Sequence, residues 1–385
     1  MLHIQNCIVD DPKFIDNMID VFDYTRGNHE VDYCYVTDKE DYKLHLKKSE
    51  RVTIIKPSDF IDYIIEHHIN VVMMHSMNSL PHSILLRIPE PIKVVWFAWG
   101  YDLYRFPVEE KPLIKLPLFK PLTAKVRNSD RVSYLARKKT YINYLLKNRR
   151  CIRKAISRVD FFSGVIEMEY DLMCKNSFFR AEQLFFNYFK LPESEAKTED
   201  VATNGNNIVL GNSASAVNNH IDVLEYLKGM DLADRTIIMP FSYQRSKDYV
   251  EKVKSYCEKN FCNIFVLEKF MPLDKYNELL SSCGYAIYFF ESQAGMGNVL
   301  QSIMCGRKVF LSETSIVYKY FKSLGCEVYS VQSQLSYKEL STPLDREMVQ
   351  KNRNAILKRW SSSVLLSNMN RTFDIIEKKV KNEIN

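Results

Sequence analysis

Apolar residues come along this chain in short bursts, and the segments between the bursts are amphipathic. In the first half, Leu2–Val9, Val31–Val36, Val52–Ile55, Val71–His75 and Ile92–Gly100 cluster β-branched and aromatic residues and read as strands. Lys13–Thr25 sets Phe14, Met18, Val21 and Phe22 at helical spacing, Ser58–His67 reads as a helix opened by a serine cap, and Pro81–Ile88 reads as a short helix. Arg158–Ser163 and Gln183–Tyr188 read as closing strands. Strands separated by helices predict a parallel sheet with helices on both faces.

The pattern then starts again. Ile208–Leu210 is a strand that ends abruptly in Gly211, Asn212 and Ser213, and a helix follows over Ile221–Leu227. Arg235–Pro240, Asn263–Leu267, Tyr285–Phe290 and Lys308–Leu311 continue as strands, with helices at Lys247–Lys259, Leu273–Cys283 and Gly297–Cys305. The polar stretch Pro192–Asn206 is the linker, so two doubly wound α/β domains are expected, 1–192 and 206–344, facing a cleft. The amphipathic segment from Asp345 to Val380 has no strand partner and is expected to pack back on the body, with residues 345–385 completing the first domain.

The totals agree with this division. A chain of 385 residues, 46% hydrophobic and 26% charged, suits two globular domains. The opening residues do not resemble a signal peptide, and no apolar run reaches the roughly 18 residues of a membrane span. The nine cysteines are odd in number and include no CxxC pair, which points to reduced thiols in the cytoplasm and against a zinc site. The net charge of +6 is concentrated: Lys111–Arg158 holds fifteen Lys or Arg and one acid, Asp130. Those cations alternate with Leu, Ile and Tyr. They form either a solvated helical face or a basic surface against anionic lipid headgroups. Nucleic acid is not expected, since no recognition motif accompanies the charge.

Open α/β sheets bind ligands beyond the carboxyl ends of their strands, so the candidate chemistry lies there. His75 ends one strand of the first half, and Trp96, Trp99, Gly100, Asp102 and Tyr104 follow the next. An imidazole and a carboxylate at successive strand ends are candidate general bases toward a hydroxyl, and the aromatics suit a sugar or lipid-phosphate acceptor. The alternatives are an interior histidine and a helix-capping aspartate. In the second half, Gly211–Ser213 with Asn218, Asn219 and His220 forms one loop before a helix, and Glu291–Asn298, with Gly295 and Gly297, forms another. Glycine allows close approach to the backbone, and a helix N-terminus offers unpaired N–H groups to an anion. N-capping by asparagine and an ordinary turn are the plainer readings. Phe270 is either a stacking surface for a base or a core aromatic.

These residues together resemble the bacterial N-acetylfucosaminyltransferases of glycosyltransferase family 56. The resemblance rests on Trp96-Phe-Ala-Trp-Gly-Tyr-Asp-Leu-Tyr104, on Gly211-Asn-Ser followed by Asn218 and His220, and on Gln293-x-Gly-x-Gly297. It runs from about His75 to Val309. It implies a GT-B architecture of two Rossmann-like domains, with the acceptor on the first and the nucleotide-sugar on the second. It further implies a peripheral enzyme on the cytoplasmic face of the inner membrane that transfers 4-acetamido-4,6-dideoxygalactose from a dTDP donor to an undecaprenyl-diphosphate-linked saccharide. His75, Trp99, Asp102 and Tyr104 fall in the acceptor-side motifs, with Trp96 beside them. Gly211, Asn212, Ser213, Asn218, His220, Gln293, Gly295 and Gly297 fall in the donor-side motifs, with Asn298 and Gln301 adjacent. Many GT-B enzymes carry two glutamates eight positions apart here. Gln293 and Gln301 stand in those places, so amide hydrogen bonds to the ribose are expected. The resemblance implies no cofactor and no bound metal. A nucleotide-sugar epimerase or hydrolase of the same fold, and a non-catalytic membrane-surface scaffold, stay open as alternatives.

Overall fold

The computed structural model describes residues 1–104, 118–129, 131–186, 205–232, 234–243 and 246–382. The chain divides into two compact units. Unit 1 comprises Met1–Lys115, Thr140–Lys190 and Trp360–Asn385, and unit 2 comprises Leu116–Lys139 and Leu191–Arg359.

Unit 1 is built on seven parallel strands: β1 (His3–Cys7), β2 (Glu30–Val36), β3 (Val52–Ile55), β4 (Val71–His75), β5 (Lys93–Phe97), β6 (Phe161–Ser163) and β7 (Glu182–Gln183). Their order is β3-β2-β1-β4-β5-β6-β7, so the winding reverses between β1 and β4. The central strands β4 and β5 are buried along their whole length, as continuous apolar runs covered on both faces must be. The helix Pro12–Thr25 buries Ile15, Met18, Ile19 and Phe22 against this sheet. The helix predicted from Ser58 runs over Phe60–Glu66, and its N-cap is Asp59; the Ser58 hydroxyl donates to the Asp59 carboxylate and does not cap the helix.

Unit 2 has six parallel strands: β8 (Asn207–Leu210), β9 (Ile237–Pro240), β10 (Ile264–Leu267), β11 (Cys283–Tyr288), β12 (Lys308–Leu311) and β13 (Tyr329–Ser330). The order β10-β9-β8-β11-β12-β13 reverses between β8 and β11, which pair directly from Ile208↔Tyr285 to Leu210↔Ile287. The loops that leave these two strands are therefore neighbours at the switch point. The helices His220–Leu227 and Lys247–Asn260 close the core through Val223, Leu224, Tyr249 and Val253.

The C-terminal segment is two helices, not one. Arg346–Trp360 lies with unit 2 except for Trp360, whereas Ser362–Asn382 lies with unit 1 and buries Met369, Phe373, Ile376 and Val380 in its core. Residues 116–139 also group with unit 2, where the sequence pattern placed them in the first domain. The linker Pro192–Asn206 lies outside the described residues up to 204.

Candidate active site

The donor-side residues converge in unit 2. The chain leaves β8 through Gly211, whose φ of +71° is left-handed; a Cβ there would sit 2.9 Å from His220 Nε2 and 3.1 Å from Asn218 Oδ1. Asn218 is buried and acts as a clasp. Its Oδ1 accepts from the Asn212 backbone N–H at 3.2 Å, and its amide donates to the Ser213 and Ser215 carbonyls and the Ser213 hydroxyl. His220 opens the helix beneath the loop. Its Nδ1 lies 3.1 Å from the Tyr249 hydroxyl, and burial lowers its pKa to about 3, so the ring is neutral. Its Nε2 has no well-aligned partner among the described residues.

The second loop meets the first. Gly295, with φ +57°, is the N-cap of the helix Met296–Met304, and a Cβ on it would lie 2.7 Å from Asn212 Nδ2. Oδ1 of Asn212 is buried and takes no hydrogen bond among the described residues. Gln293 is buried, and Gly297 and Asn298 form the first turn of the helix. Two glycine loops, a helix N-terminus and an orphaned amide oxygen thus gather in one place, as an anion with hydrogen-bonding groups attached requires. Gln301 departs from its expected role: its amide donates to Asn277 Oδ1 at 2.9 Å, so it is already engaged. Phe270 is 89% exposed, which removes the reading as a core aromatic and leaves a free ring face beyond β10.

Three further residues tie these loops down: Lys120, which sequence reasoning missed, and Asn219 and Glu291, which it read only as members of the loops. Asn219 adopts a left-handed φ of +51°. Its side chain donates to the Leu118, Val217 and Phe289 carbonyls and accepts from the Lys120 backbone N–H. Lys120 reaches Glu291 at 2.6 Å and lies 5.0 Å from the Phe289 ring, while Glu291 also accepts from the Ser312 and Thr314 hydroxyls. The Asn218-Asn219 pair held a signal, since asparagine tolerates left-handed backbone. Lys120 and Glu291 are far apart in sequence and gave none.

On unit 1 the structure corrects both proposed bases. His75 is fully buried. It is ringed by Phe22, Phe97 and Phe186, its Nε2 lies 2.8 Å from Asn6 Oδ1, and burial lowers its pKa to about 3. It is an interior histidine, because the last residue of a central strand points into the sheet's own core. Asp102 is 1% exposed and accepts from the Met77 N–H at 2.6 Å, the Trp96 indole at 3.1 Å and the Trp99 N–H at 2.7 Å. It closes a capping box on the helix Gly100–Leu103 and ties the loop after β4 to the loop after β5. Burial pushes its pKa up to about 6 in spite of those bonds. Trp96 is buried, Trp99 packs edge-on against Phe14, and Tyr104 is buried with its hydroxyl donating to Glu169 at 3.0 Å.

Glu169 was not anticipated. It is fully buried, accepts from the Val165 and Ile166 N–H groups in the loop after β6, and has its pKa pushed up to about 7, by burial first and with a contribution from the Asp102 charge. Ser76, directly after β4, holds a φ of +98°, a strained conformation for a residue with a side chain. Three consecutive strand-end loops of unit 1 are therefore knitted by two buried carboxylates around a strained serine. Asp10, after β1, faces Tyr42 and His45, whose hydrogen bonds outweigh its burial and lower its pKa.

Comparison with known proteins bears on the family and the fold. The family described as 4-alpha-L-fucosyltransferase glycosyl transferase group 56 matches residues 132–358. Among solved structures, a glycosyltransferase from Rickettsia africae is similar at a TM-score of 0.61 and 11% identity, over 99% of each chain. HepE of Anabaena, solved with UDP and glucose, is similar at 0.59 and 11% identity, over 97% of this chain and 99% of its own. The lipopolysaccharide outer core galactosyltransferase WaaB is similar at 0.59 and 10% identity, over 97% and 98%. At such identities these structures establish the shared fold.

Proposed function

We infer that this chain, which belongs to the 4-alpha-L-fucosyltransferase family of glycosyl transferase group 56, moves a deoxyamino sugar of the N-acetylfucosamine kind from a dTDP-sugar to an undecaprenyl-diphosphate-linked saccharide. The fold is GT-B and the enzyme is a hexosyltransferase. The observation that carries the donor half is the approach of Asn212 to Gly295, which sets two strand-end loops and a helix N-terminus side by side at the switch point of unit 2. HepE was solved with UDP and glucose, which supports a nucleotide-sugar as the partner.

In this reading the diphosphate lies over Gly211–Ser213 and Gly295–Asn298. An acceptor hydroxyl oxygen attacks the anomeric carbon and gives up its proton to an oxygen of the departing diphosphate, the bond from that carbon to the diphosphate oxygen breaks, and the helix N-terminus stabilises the charge gathering on the leaving group. Asp102 and Glu169 act as positioning residues, holding the acceptor-side loops. The cations of Lys111–Arg158 hold the enzyme on the cytoplasmic face of the bacterial inner membrane, beside its lipid-linked acceptor.

Calorimetric titration with dTDP, UDP and GDP tests the donor. Selective binding of dTDP supports it, selective binding of UDP or GDP assigns a different nucleotide, and no binding by any of the three refutes the donor site. Product analysis with and without a lipid-linked acceptor tests transfer: donor consumed without acceptor marks a hydrolase or epimerase instead.

A further inference from the structure

A second charged feature of unit 1 lies away from these strand ends. The last turns of the helix Arg131–Ser157 and the segment 177–180 flank an open pocket of about 550 Å³ lined by Arg153, Ser157, Ser177, Phe178 and Arg180. The helix leads into β6 and the segment leads into β7. Because the sheet is parallel, both deliver the chain to the amino ends of the strands. The pocket is thus at the opposite edge of the sheet from Ser76, Asp102 and the loop after β6.

Its cations are not spent on the fold. Arg158, one turn further along, is: it pairs with Asp160 at 2.8 Å and donates to the Pro89 and Ile92 carbonyls. Arg153 and Arg180 have no carboxylate within ion-pair distance among the described residues. The Arg153 guanidinium is instead set over the Phe178 ring at 4.9 Å, and the Ser157 hydroxyl donates to the Arg153 and Phe178 carbonyls, bracing the two sides of the pocket. Helical periodicity places Arg150, Arg153, Lys154 and Ser157 on one face and the buried Ile152, Ala155 and Ile156 on the other. Two guanidinium groups without a carboxylate partner among the described residues, Arg153 set over the Phe178 ring and Arg180 exposed beside it, are the donors that recognise a phosphate.

We propose that this pocket binds a phosphate group, presented by an anionic phospholipid at the membrane surface. The lipid source rests on the peripheral attachment inferred above; the phosphate chemistry does not.

The test compares three full-length proteins: the native chain, Arg153→Gln with Arg180→Gln, and Lys259→Gln with Lys275→Gln. The last pair removes the same charge from exposed positions of unit 2. Sedimentation is measured with vesicles of phosphatidylcholine alone and with about one-third phosphatidylglycerol. At roughly five-fold per cation, the arginine pair loses about 30-fold in partitioning to anionic vesicles, and the lysine pair changes little. A parallel arm measures thermal shift with inorganic phosphate. Stabilisation of the native chain but not of the arginine variant, without vesicle binding, overturns the lipid source and retains the phosphate pocket. Equal losses in both double variants, or no response to vesicles or phosphate, overturn the proposal. Arg153→Lys with Arg180→Lys keeps the charge and restores binding in part, above the glutamine pair and below the native chain, which excludes misfolding as the cause. Nucleotide titration of the arginine variant reads the donor site separately, so failure here is distinguishable from failure of the transferase reading.

Discussion

Replacing Glu169 by glutamine should make the first unit more stable at alkaline pH than the native protein is. The carboxyl is fully buried, and its pKa stands at about 7 against an ordinary value of 4.5. A group whose folded pKa is raised favours the folded state while it is protonated. That contribution is complete below pH 4.5 and is lost as the pH climbs through 7. At 1.4 kcal/mol per pH unit the loss is about 3 kcal/mol. Glutamine has nearly the shape of the protonated acid, keeps an oxygen for the Val165 and Ile166 N–H groups, and cannot ionise. The two proteins should therefore be close in stability near about pH 5 and differ by about 3 kcal/mol, in favour of the variant, near about pH 8.5. The assay is urea unfolding followed by tryptophan fluorescence. Trp96, Trp99 and Trp360 are the only tryptophans; with Trp360, which ends a helix of unit 2, replaced by phenylalanine in both proteins, the signal comes from Trp96 and Trp99 and reports unit 1. Parallel stability-versus-pH curves for the two proteins would refute the reasoning, because they would mean that Glu169 ionises in the folded state without penalty.

Further expectations concern the other sites. Gly295→Ala forces a side chain into left-handed backbone, at about 1 kcal/mol, and against Asn212; nucleotide affinity measured by calorimetry should fall at least about ten-fold, and unchanged affinity would remove the two-loop site. Phe270→Ala should leave urea stability within about 0.5 kcal/mol, since the ring is exposed. If the ring stacks on a base, binding weakens by about 1 to 3 kcal/mol, and no change dismisses it as a ligand contact. The His75 ring, with its pKa lowered to about 3 by burial, should show no titration by NMR from about pH 8 down to about pH 5; a midpoint near the ordinary value of 6.5 would show that water reaches it.

Much of the fold was legible because both sheets are parallel and buried. Runs such as Val71–Met74 and Tyr285–Phe290 are apolar throughout, and their spacing by amphipathic helices leaves little topological choice. The two glycine loops of the second unit were legible as turns because Gly211 and Gly295 mark left-handed backbone at strand ends. The acceptor side was misread for a definite reason: sequence order shows that His75 and Asp102 follow strands, but not which way a strand-end side chain turns. His75 turns into an aromatic core, and Asp102 turns toward the Met77 and Trp99 N–H groups in adjacent loops and the Trp96 indole on β5. Glu169 could have been flagged as a carboxylate just beyond Phe161–Ser163, but its burial depends on Tyr104, 65 positions away. The strain at Ser76 has no signature in composition at all.

The return of the C-terminal helix to the first unit bears on how the protein is made. Met369, Phe373, Ile376 and Val380 share a core with Ile4, Phe22 and Val71, and the Met1 amine pairs with Glu377 at 2.8 Å. During vectorial synthesis the first sheet emerges early but lacks this wall until the helix Ser362–Asn382 has left the ribosome. The second unit, whose segments lie between 116 and 359, is fully emerged sooner. A premature stop after Arg359 would thus spare the nucleotide-side sheet and expose the hydrophobic flank of the first, giving a chain that chaperones and proteases recognise at the end opposite to the lesion.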